Sequence, residues 1–244
     1  MMKDGIFEEI RHVSYSHIST NKTVGAADIL RFCQDSAVAH TAACGYPLER
    51  LIALHRAWLV LSMHVRFVKP IALSKDIRVR TWPFSFSRVL GPRAFRIEDA
   101  ETNEVYVEAT SLWAYTDTES GRPAEIPQEM ITGFSEGEVP PLSYIRRAPN
   151  YEATKRVADF RVLKRDLDTN IHMNNVKYLE YAEEALPLGT TVSEIEIFYK
   201  QQAKYGDILS LYASEDAEGN VLTYLKNQNG EICTYIKFIP EKGI

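Results

Sequence analysis

The chain has little of what marks a disulfide-stapled, metal-binding or membrane-spanning protein. Its 3 cysteines are odd in number, and no two stand in a CxxC spacing. That usage fits a reducing compartment and argues against a disulfide framework or a zinc site. The histidines stand in no ligand spacing, so we expect no metal and no cofactor.

Long apolar runs and a basic charge balance are also missing. No stretch approaches the roughly 18 apolar residues of a membrane span, and the acidic start, MMKDGIFEE, lacks the apolar run of a signal peptide. A net charge of −5 disfavours nucleic acid as a partner. With 45% apolar and 25% charged residues, the composition predicts a soluble, cytoplasmic, globular protein without a membrane partner.

The first half of the chain reads as a strand, a helix and four strands. Ile6 to Ser16 partly alternates, and Ala26 to Cys44 carries apolar residues at helical spacing before Gly45 and Pro47 end it. Four strand-like runs follow, separated by proline, glycine and asparagine: Ala57–Val68, Asp76–Phe86, Arg93–Asp99 and Val105–Tyr115.

The second half repeats this order after a stretch rich in proline and glycine. The strand Val157–Lys164 and the helix Asn174–Leu186 precede four more strands: Val192–Tyr199, Ile208–Ser214, Asn220–Asn227 and Glu231–Pro240. Asn229-Gly230 predicts a hairpin turn before the last of them. We therefore expect an N-terminal domain over 1–118, a linker over 119–150 and a C-terminal domain over 151–244.

The repeated order indicates an internal duplication, and the residues allow an ungapped register. Laying Val13–Phe32 on Val162–Tyr181 places Ser19 opposite Asp168 and Thr23 opposite His172. In this register the first half keeps the scaffold without the titratable groups. The chemistry then belongs to the second half alone.

The stretch from Asp166 to Asn175 is unlike the rest of the chain. Ten residues, DLDTNIHMNN, hold two carboxylates, three carboxamides and an imidazole. They lie between a strand-like and a helix-like run, where a site can be built on rigid elements. Polar clusters at such junctions are also common as helix caps, which is the alternative for Asn174 and Asn175.

The segment DLDTNIHMNNVKY, from Asp166 to Tyr178, resembles the acyl-acyl carrier protein (acyl-ACP) thioesterases. RVLGPRAF and SLWAYTDTESGRPAEIP in the first half resemble that family as well. The resemblance implies an α+β fold of two tandem hot-dog domains, each a long helix wrapped by an antiparallel sheet, which together form a pseudo-dimer. It also implies hydrolysis of fatty acyl-ACP to free fatty acid, with acyl carrier protein as the partner.

The family's catalytic groups carry over to Asp168, Asn170 and His172. A fourth group, a glutamate, would stand where this chain has Gln202, and Ala203 stands where plant members have a cysteine. The resemblance therefore implies no cysteine nucleophile here. Glutamine can hold a water but cannot accept a proton, and Gln202 could also be a plain surface residue.

Physical chemistry supports roles for these groups. In an extended segment, residues two apart share a face, so Asp168, Asn170 and His172 are expected to project together. Hydrolysis of a thioester needs an activated water and a stabilised oxyanion. We predict that Asp168 and His172 activate water, that Asn170 and Gln202 orient it, and that backbone N–H groups near Asn174 and Asn175 polarise the carbonyl.

The acyl chain needs an apolar tunnel, which the resemblance places mainly in the first domain. Ile29, Phe32 and Trp58 are candidate lining residues, although ordinary core is the favoured interpretation of each taken alone. Basic residues near the site would attract an acidic carrier protein: Arg88, Arg93, Lys164, Arg165, Lys177, Lys200 and Lys204. An acyl-CoA thioesterase and a hydrolysis-impaired acyl-thioester binding protein are the alternative functions, and a homodimer is left open.

Overall fold

The computed structural model describes residues 2–3 and 5–241, and the chain divides into two compact units, Met1–Tyr144 and Ile145–Ile244. Each unit is an antiparallel sheet with a helix packed on it. No helix among the described residues is long and apolar enough to cross a membrane.

The sheet of the first unit has the strand order β1-β2-β4-β5-β6-β3, with all neighbours antiparallel. Its strands are β1 (Met2–Lys3), β2 (Ile6–His12), β3 (Arg56–Phe67), β4 (Asp76–Pro83), β5 (Leu90–Asp99) and β6 (Val105–Asp117). Its helices are α1 (Ala26–Ala43), α2 (Leu48–Ala53) and α3 (Gln128–Phe134).

Helix α1 lies against β2 and β4. Its buried face follows the 3.6-residue period through Ile29, Phe32, Cys33, Ala37 and His40. Each large apolar side chain buried there contributes about 1.5–3 kcal/mol. Gly45, at φ +87°, supplies the left-handed residue that ends the helix, as predicted.

The stretch 119–150, predicted as a linker, instead adds structure to the first unit up to Tyr144. Ile126, Met130 and Phe134 are buried in one cluster with Tyr46 and Tyr115. A short helix bounded by proline and containing glycine has no periodic signal long enough to be predicted.

The second unit repeats the architecture. Its strands are β7 (Lys155–Arg161), β8 (Val192–Tyr199), β9 (Ile208–Glu215), β10 (Val221–Lys226) and β11 (Ile232–Pro240), in the order β8-β11-β10-β9-β7. All neighbours are again antiparallel. Helix α4 covers Asn175–Ala182 and continues as a 3-10 turn over Glu183–Ala185, so it is shorter than the predicted Asn174–Leu186.

The two sheets have equivalent strand orders. Starting from the strand that precedes the main helix, the strand order is β2-β4-β5-β6-β3 in the first unit and β7-β9-β10-β11-β8 in the second. In both, the strand that follows the helix lies at the opposite end of the unit's own sheet. The duplication read from the sequence is thus present in the topology.

Candidate functional site

The segment 167–173 is a closed turn, which corrects the expectation of an extended strand. Leu167 and Met173 form an antiparallel bridge. The Asp168 N–H donates to the His172 carbonyl at 2.8 Å, and the Ile171 N–H donates back to the Asp168 carbonyl at 3.1 Å. Asp168, Asn170 and His172 therefore do not share a strand face. The turn brings Asp168 and His172 together through their main chains.

The Asp168 carboxylate holds this turn. Its Oδ1 accepts the N–H of Asn170 at 2.8 Å and the N–H of His172 at 3.3 Å. This is the local side-chain-to-backbone bonding that favours aspartate in turns. Within the described residues the His172 ring has no hydrogen bond, so Asp168 positions the histidine through its backbone.

His172 presents an unsatisfied ring nitrogen. The residue is half-buried, and its main chain forms an isolated antiparallel bridge with Lys204. Its Nδ1 is buried and has no hydrogen-bond partner among the described residues. A buried polar atom without a partner is uncommon and calls for an explanation, such as a water, a substrate group or a catalytic role.

The start of α4 lies directly after His172. Asn174 is the N-cap, and its Oδ1 accepts the Val176 N–H at 2.9 Å, so the capping alternative holds for Asn174. The Asn174 N–H is also occupied, because it donates to the Asp166 carbonyl at 2.8 Å. Among the backbone N–H groups at the start of α4, that of Asn175 has no hydrogen-bond partner within the described residues.

The segment carrying Gln202 lies beside the turn, although Gln202 is not on a strand. It falls between β8 and β9 with its side chain exposed. The neighbouring Ala203 is fully buried, and its carbonyl accepts the Met173 N–H at 2.9 Å. Two residues after Gln202, Lys204 is the bridge partner of His172. The exposed carboxamides of Gln202 and Asn170 therefore belong to the two chain segments that meet at His172.

Two tyrosines that the site prediction omitted fix this arrangement. The buried Tyr178 hydroxyl accepts the Ala203 N–H at 2.8 Å, and the Tyr199 hydroxyl donates to the Asn175 carbonyl at 3.2 Å. Burial raises the pKa of both phenols well above its ordinary value, so both stay protonated. Tyr178 is the last residue of the segment DLDTNIHMNNVKY. That position was the sequence signal that could have identified it as a site residue.

Asp166 has a structural role in the turn that precedes the site. It is 2% exposed, and its Oδ2 accepts the Leu163 N–H at 2.8 Å and the Tyr181 hydroxyl at 2.9 Å. It thereby fixes the 3-10 turn Lys164–Asp166 that leads into the site.

The first unit contains the same turn in the predicted register. The Ser19 N–H donates to the Thr23 carbonyl at 2.8 Å, and Lys22 donates to the Ser19 carbonyl at 3.0 Å. The Asn21 N–H donates to Ser19 Oγ at 3.3 Å, as Asn170 does to Asp168. Lys22 has φ +63° and Ile171 has φ +62°. The first copy keeps the backbone and lacks the carboxylate and imidazole.

The predicted tunnel residues lie in two places within the first unit. Ile29 and Phe32 are fully buried on α1. Trp58 is half-buried against the cluster of α2 and α3, with its ring centroid 5.1 Å from that of Tyr115. Its Nε1 is buried without a partner among the described residues. The burial of these three side chains is compatible both with the hydrophobic core and with the wall of an acyl tunnel.

Arg93 does not face solvent, which corrects its inclusion among the basic docking candidates. It is 6% exposed, on the inner side of β5, and its Nη1 donates to His40 Nδ1 at 3.0 Å and to Thr81 Oγ1 at 3.1 Å. Burial lowers the pKa of Arg93 to about 10. Burial, and then the adjacent Arg93 charge, lower the pKa of His40 to about 3. The sequence does not predict this buried Arg93–His40 contact, because an arginine is normally found at the protein surface.

The described residues contain no group of three or more His, Cys, Asp or Glu side chains that could hold a metal. The arrangement around His172 instead combines an unpartnered imidazole nitrogen, a free helix N–H and two exposed carboxamides. Together these can bind a water, take its proton and stabilise an oxyanion.

Two family models match the chain: the acyl-ACP thioesterase N-terminal domain over residues 5–134 and the C-terminal domain over residues 150–239. The chain is similar to an oleoyl-acyl carrier protein thioesterase from Arabidopsis thaliana. The two are 24% identical over 94% of this chain and 69% of the relative.

Solved structures have the same fold. A crystal structure of an acyl-ACP thioesterase from Bacteroides thetaiotaomicron superposes with a TM-score of 0.87 at 20% identity, covering 98% of this chain and 100% of that one. A 12:0-ACP thioesterase from Umbellularia californica gives 0.83 at 17% identity, covering 99% and 100%. The predicted α+β class with hot-dog domains is confirmed.

Proposed function

Because the chain belongs to the acyl-ACP thioesterase family, we propose that it hydrolyses fatty acyl-ACP thioesters and releases free fatty acid and the carrier thiol. The family resemblance read from the sequence and the class of thioester hydrolase are both confirmed. The observation that carries the site assignment is the buried, unpartnered Nδ1 of His172 at the start of α4.

The proposed reaction begins with a water held beside His172. As the water oxygen attacks the thioester carbonyl carbon, His172 Nδ1 accepts its proton. The Asn175 N–H, at the positive end of α4, stabilises the oxyanion. Collapse of the tetrahedral intermediate breaks the C–S bond, and the leaving thiolate recovers the proton from His172.

The other groups serve positioning roles in this proposal. Asp168 fixes the turn and adds a negative charge that favours the imidazolium formed during attack. Asn170 and Gln202 orient water or substrate through their amides. Gln202 cannot accept a proton, so the proton transfer rests on His172.

The test compares the hydrolysis of acyl-ACP with that of acyl-CoA bearing the same acyl group. Release of free thiol is measured for both substrates, over a series of acyl chain lengths. We expect faster turnover of acyl-ACP. Faster turnover of acyl-CoA would establish the alternative carrier, and binding without thiol release would establish a binding protein.

Two variants sharpen the comparison. His172→Ala is expected to abolish most of the thiol release. Its counterpart in the first copy of the turn, Thr23→Ala, changes no proposed site residue and is expected to retain wild-type turnover. The predicted cytoplasmic location stays a prediction.

A further inference from the structure

Ile171 has a backbone conformation that its side chain disfavours. It lies at φ +62°, where a β-branched residue is a genuine outlier and therefore strained. The side chain is 71% exposed, so packing within the described chain does not offset the strain. Lys22 takes the same conformation in the first copy, which shows that the turn itself requires a left-handed residue there. The turn does not require an exposed apolar side chain.

A second exposed apolar residue lies on the neighbouring segment. His172, which directly follows Ile171, and Lys204, which directly precedes Tyr205, are antiparallel bridge partners. Tyr205 is 58% exposed. Two large apolar side chains thus lie in solvent, each next in sequence to one partner of the bridge that holds the proposed base.

Basic residues flank this pair along the chain. Lys204 lies two residues after Gln202 and directly before Tyr205, and Lys200 lies earlier in the same segment. Lys164 and Arg165 lie on the 3-10 turn that leads into the site. All four side chains are exposed, and none has an ion-pair partner in the described part of the chain.

The carboxylates of these two segments accept hydrogen bonds from neutral N–H groups, and the described residues show no ion pair between them and these bases. Asp168 Oδ1 holds the turn. Asp207 accepts the Lys204 N–H through Oδ2 and the Gln228 amide through Oδ1. The surface therefore has an apolar centre and an unpaired basic rim, the pattern of a docking contact for an acidic partner.

From this arrangement we infer that Ile171 and Tyr205, rimmed by Lys204, Lys164 and Arg165, are the docking surface for the acidic carrier protein that delivers the acyl thioester. The inference rests on the proposed function. The apolar pair seats an apolar patch of the carrier, and the bases pair with its carboxylates. Docking at this point delivers the thioester beside His172, and the strain at Ile171 is the cost of presenting an apolar side chain at the tip of the turn.

The experiment compares two substrates of the same acyl group: acyl-ACP and acyl-pantetheine, which carries the thioester without the protein. For Ile171→Gly we expect the KM for acyl-ACP to rise about tenfold while kcat and the kinetics of acyl-pantetheine stay within about twofold. Ile171→Lys copies the residue of the first unit, and we expect it also to weaken the apolar contact. Lys22→Gly is the matched control for the backbone change, and we expect no kinetic effect.

A direct binding measurement separates failure of docking from failure of catalysis. Titration of the full chain with holo-carrier protein, which has no acyl group, should show weaker binding for Ile171→Gly and Lys204→Glu, and weaker binding by the wild type at high salt. If the wild type binds carrier without hydrolysing it, the proposed function fails and the docking surface stands.

Three results would overturn the docking surface. One is unchanged KM and carrier affinity in Ile171→Gly and Lys204→Glu. Another is an equal loss of kcat with both substrates in Ile171→Gly, which would mean that the residue only supports the turn. The third is a dimer of the wild type that Ile171→Gly dissociates, because a second copy would then be the occupant.

Discussion

Asp168 is expected to have two separable roles, one in the turn and one in the chemistry. Asp168→Ala removes the acceptor of two backbone N–H groups, at 2.8 and 3.3 Å. Hydrogen bonds to charged groups contribute about 1.5–3 kcal/mol each, but the residue is half-buried and one bond is long. We therefore expect the free energy of unfolding to fall by about 1–2 kcal/mol in total.

Asp168→Asn keeps an Oδ1 acceptor and removes the charge. We expect a loss of stability below about 1 kcal/mol, because asparagine makes the same turn. If the charge assists formation of the imidazolium, kcat should fall by about tenfold or more, since 1.36 kcal/mol corresponds to a factor of ten. Ser19→Ala in the first copy is the control for the turn, and we expect it to leave kcat unchanged.

Urea unfolding and acyl-ACP hydrolysis on the same preparations measure the two roles. Wild-type turnover in Asp168→Asn would refute the role of the charge. An Asp168→Ala variant as stable as the wild type would refute the role of the carboxylate in the turn.

Three further outcomes are expected. Because the pKa of His40 is about 3 in the folded chain and about 6.5 unfolded, the unfolded state binds the proton first and stability falls as pH drops from 6.5. The free energy of unfolding should be lower by about 2 kcal/mol at pH 5. In His40→Gln, whose amide oxygen can still accept a hydrogen bond from Arg93, urea unfolding at several pH values should show a weaker pH dependence. Gln202→Glu should raise kcat if a second proton acceptor helps; unchanged or lower turnover would mean that the site is adapted to glutamine. Asn174→Ala should cost about 1 kcal/mol of stability in the same unfolding assay, since it removes the cap on the Val176 N–H; no loss would contradict the capping role.

The sequence predicted the duplication to the residue but not the shape of the duplicated segment. The register that pairs Ser19 with Asp168 is borne out by matching hydrogen bonds in both copies. The turn was unpredictable because Ile171 occupies the left-handed position, where glycine or asparagine would have signalled it. Asp168, Asn170 and His172 are spaced two residues apart, which is also the spacing of side chains on one face of an extended strand. The spacing alone therefore favoured a strand over the turn that is present.

The candidate site was partly predictable for a related reason. Asn174 was recognisable as a capping residue, because short polar side chains beside a helix start commonly bond to backbone. The burial of Arg93 and the anchoring hydroxyl of Tyr178 depend on contacts far apart along the chain, with His40 and Ala203. Local patterns do not encode such contacts.

The central claim is that His172 is the base that activates water. Its most direct test is kcat for acyl-ACP hydrolysis by His172→Ala, with urea unfolding to confirm that the fold is intact. We predict a fall of about 10²–10⁴, the usual contribution of a general base, with stability close to that of the wild type. Near wild-type turnover in a folded His172→Ala variant would contradict the claim.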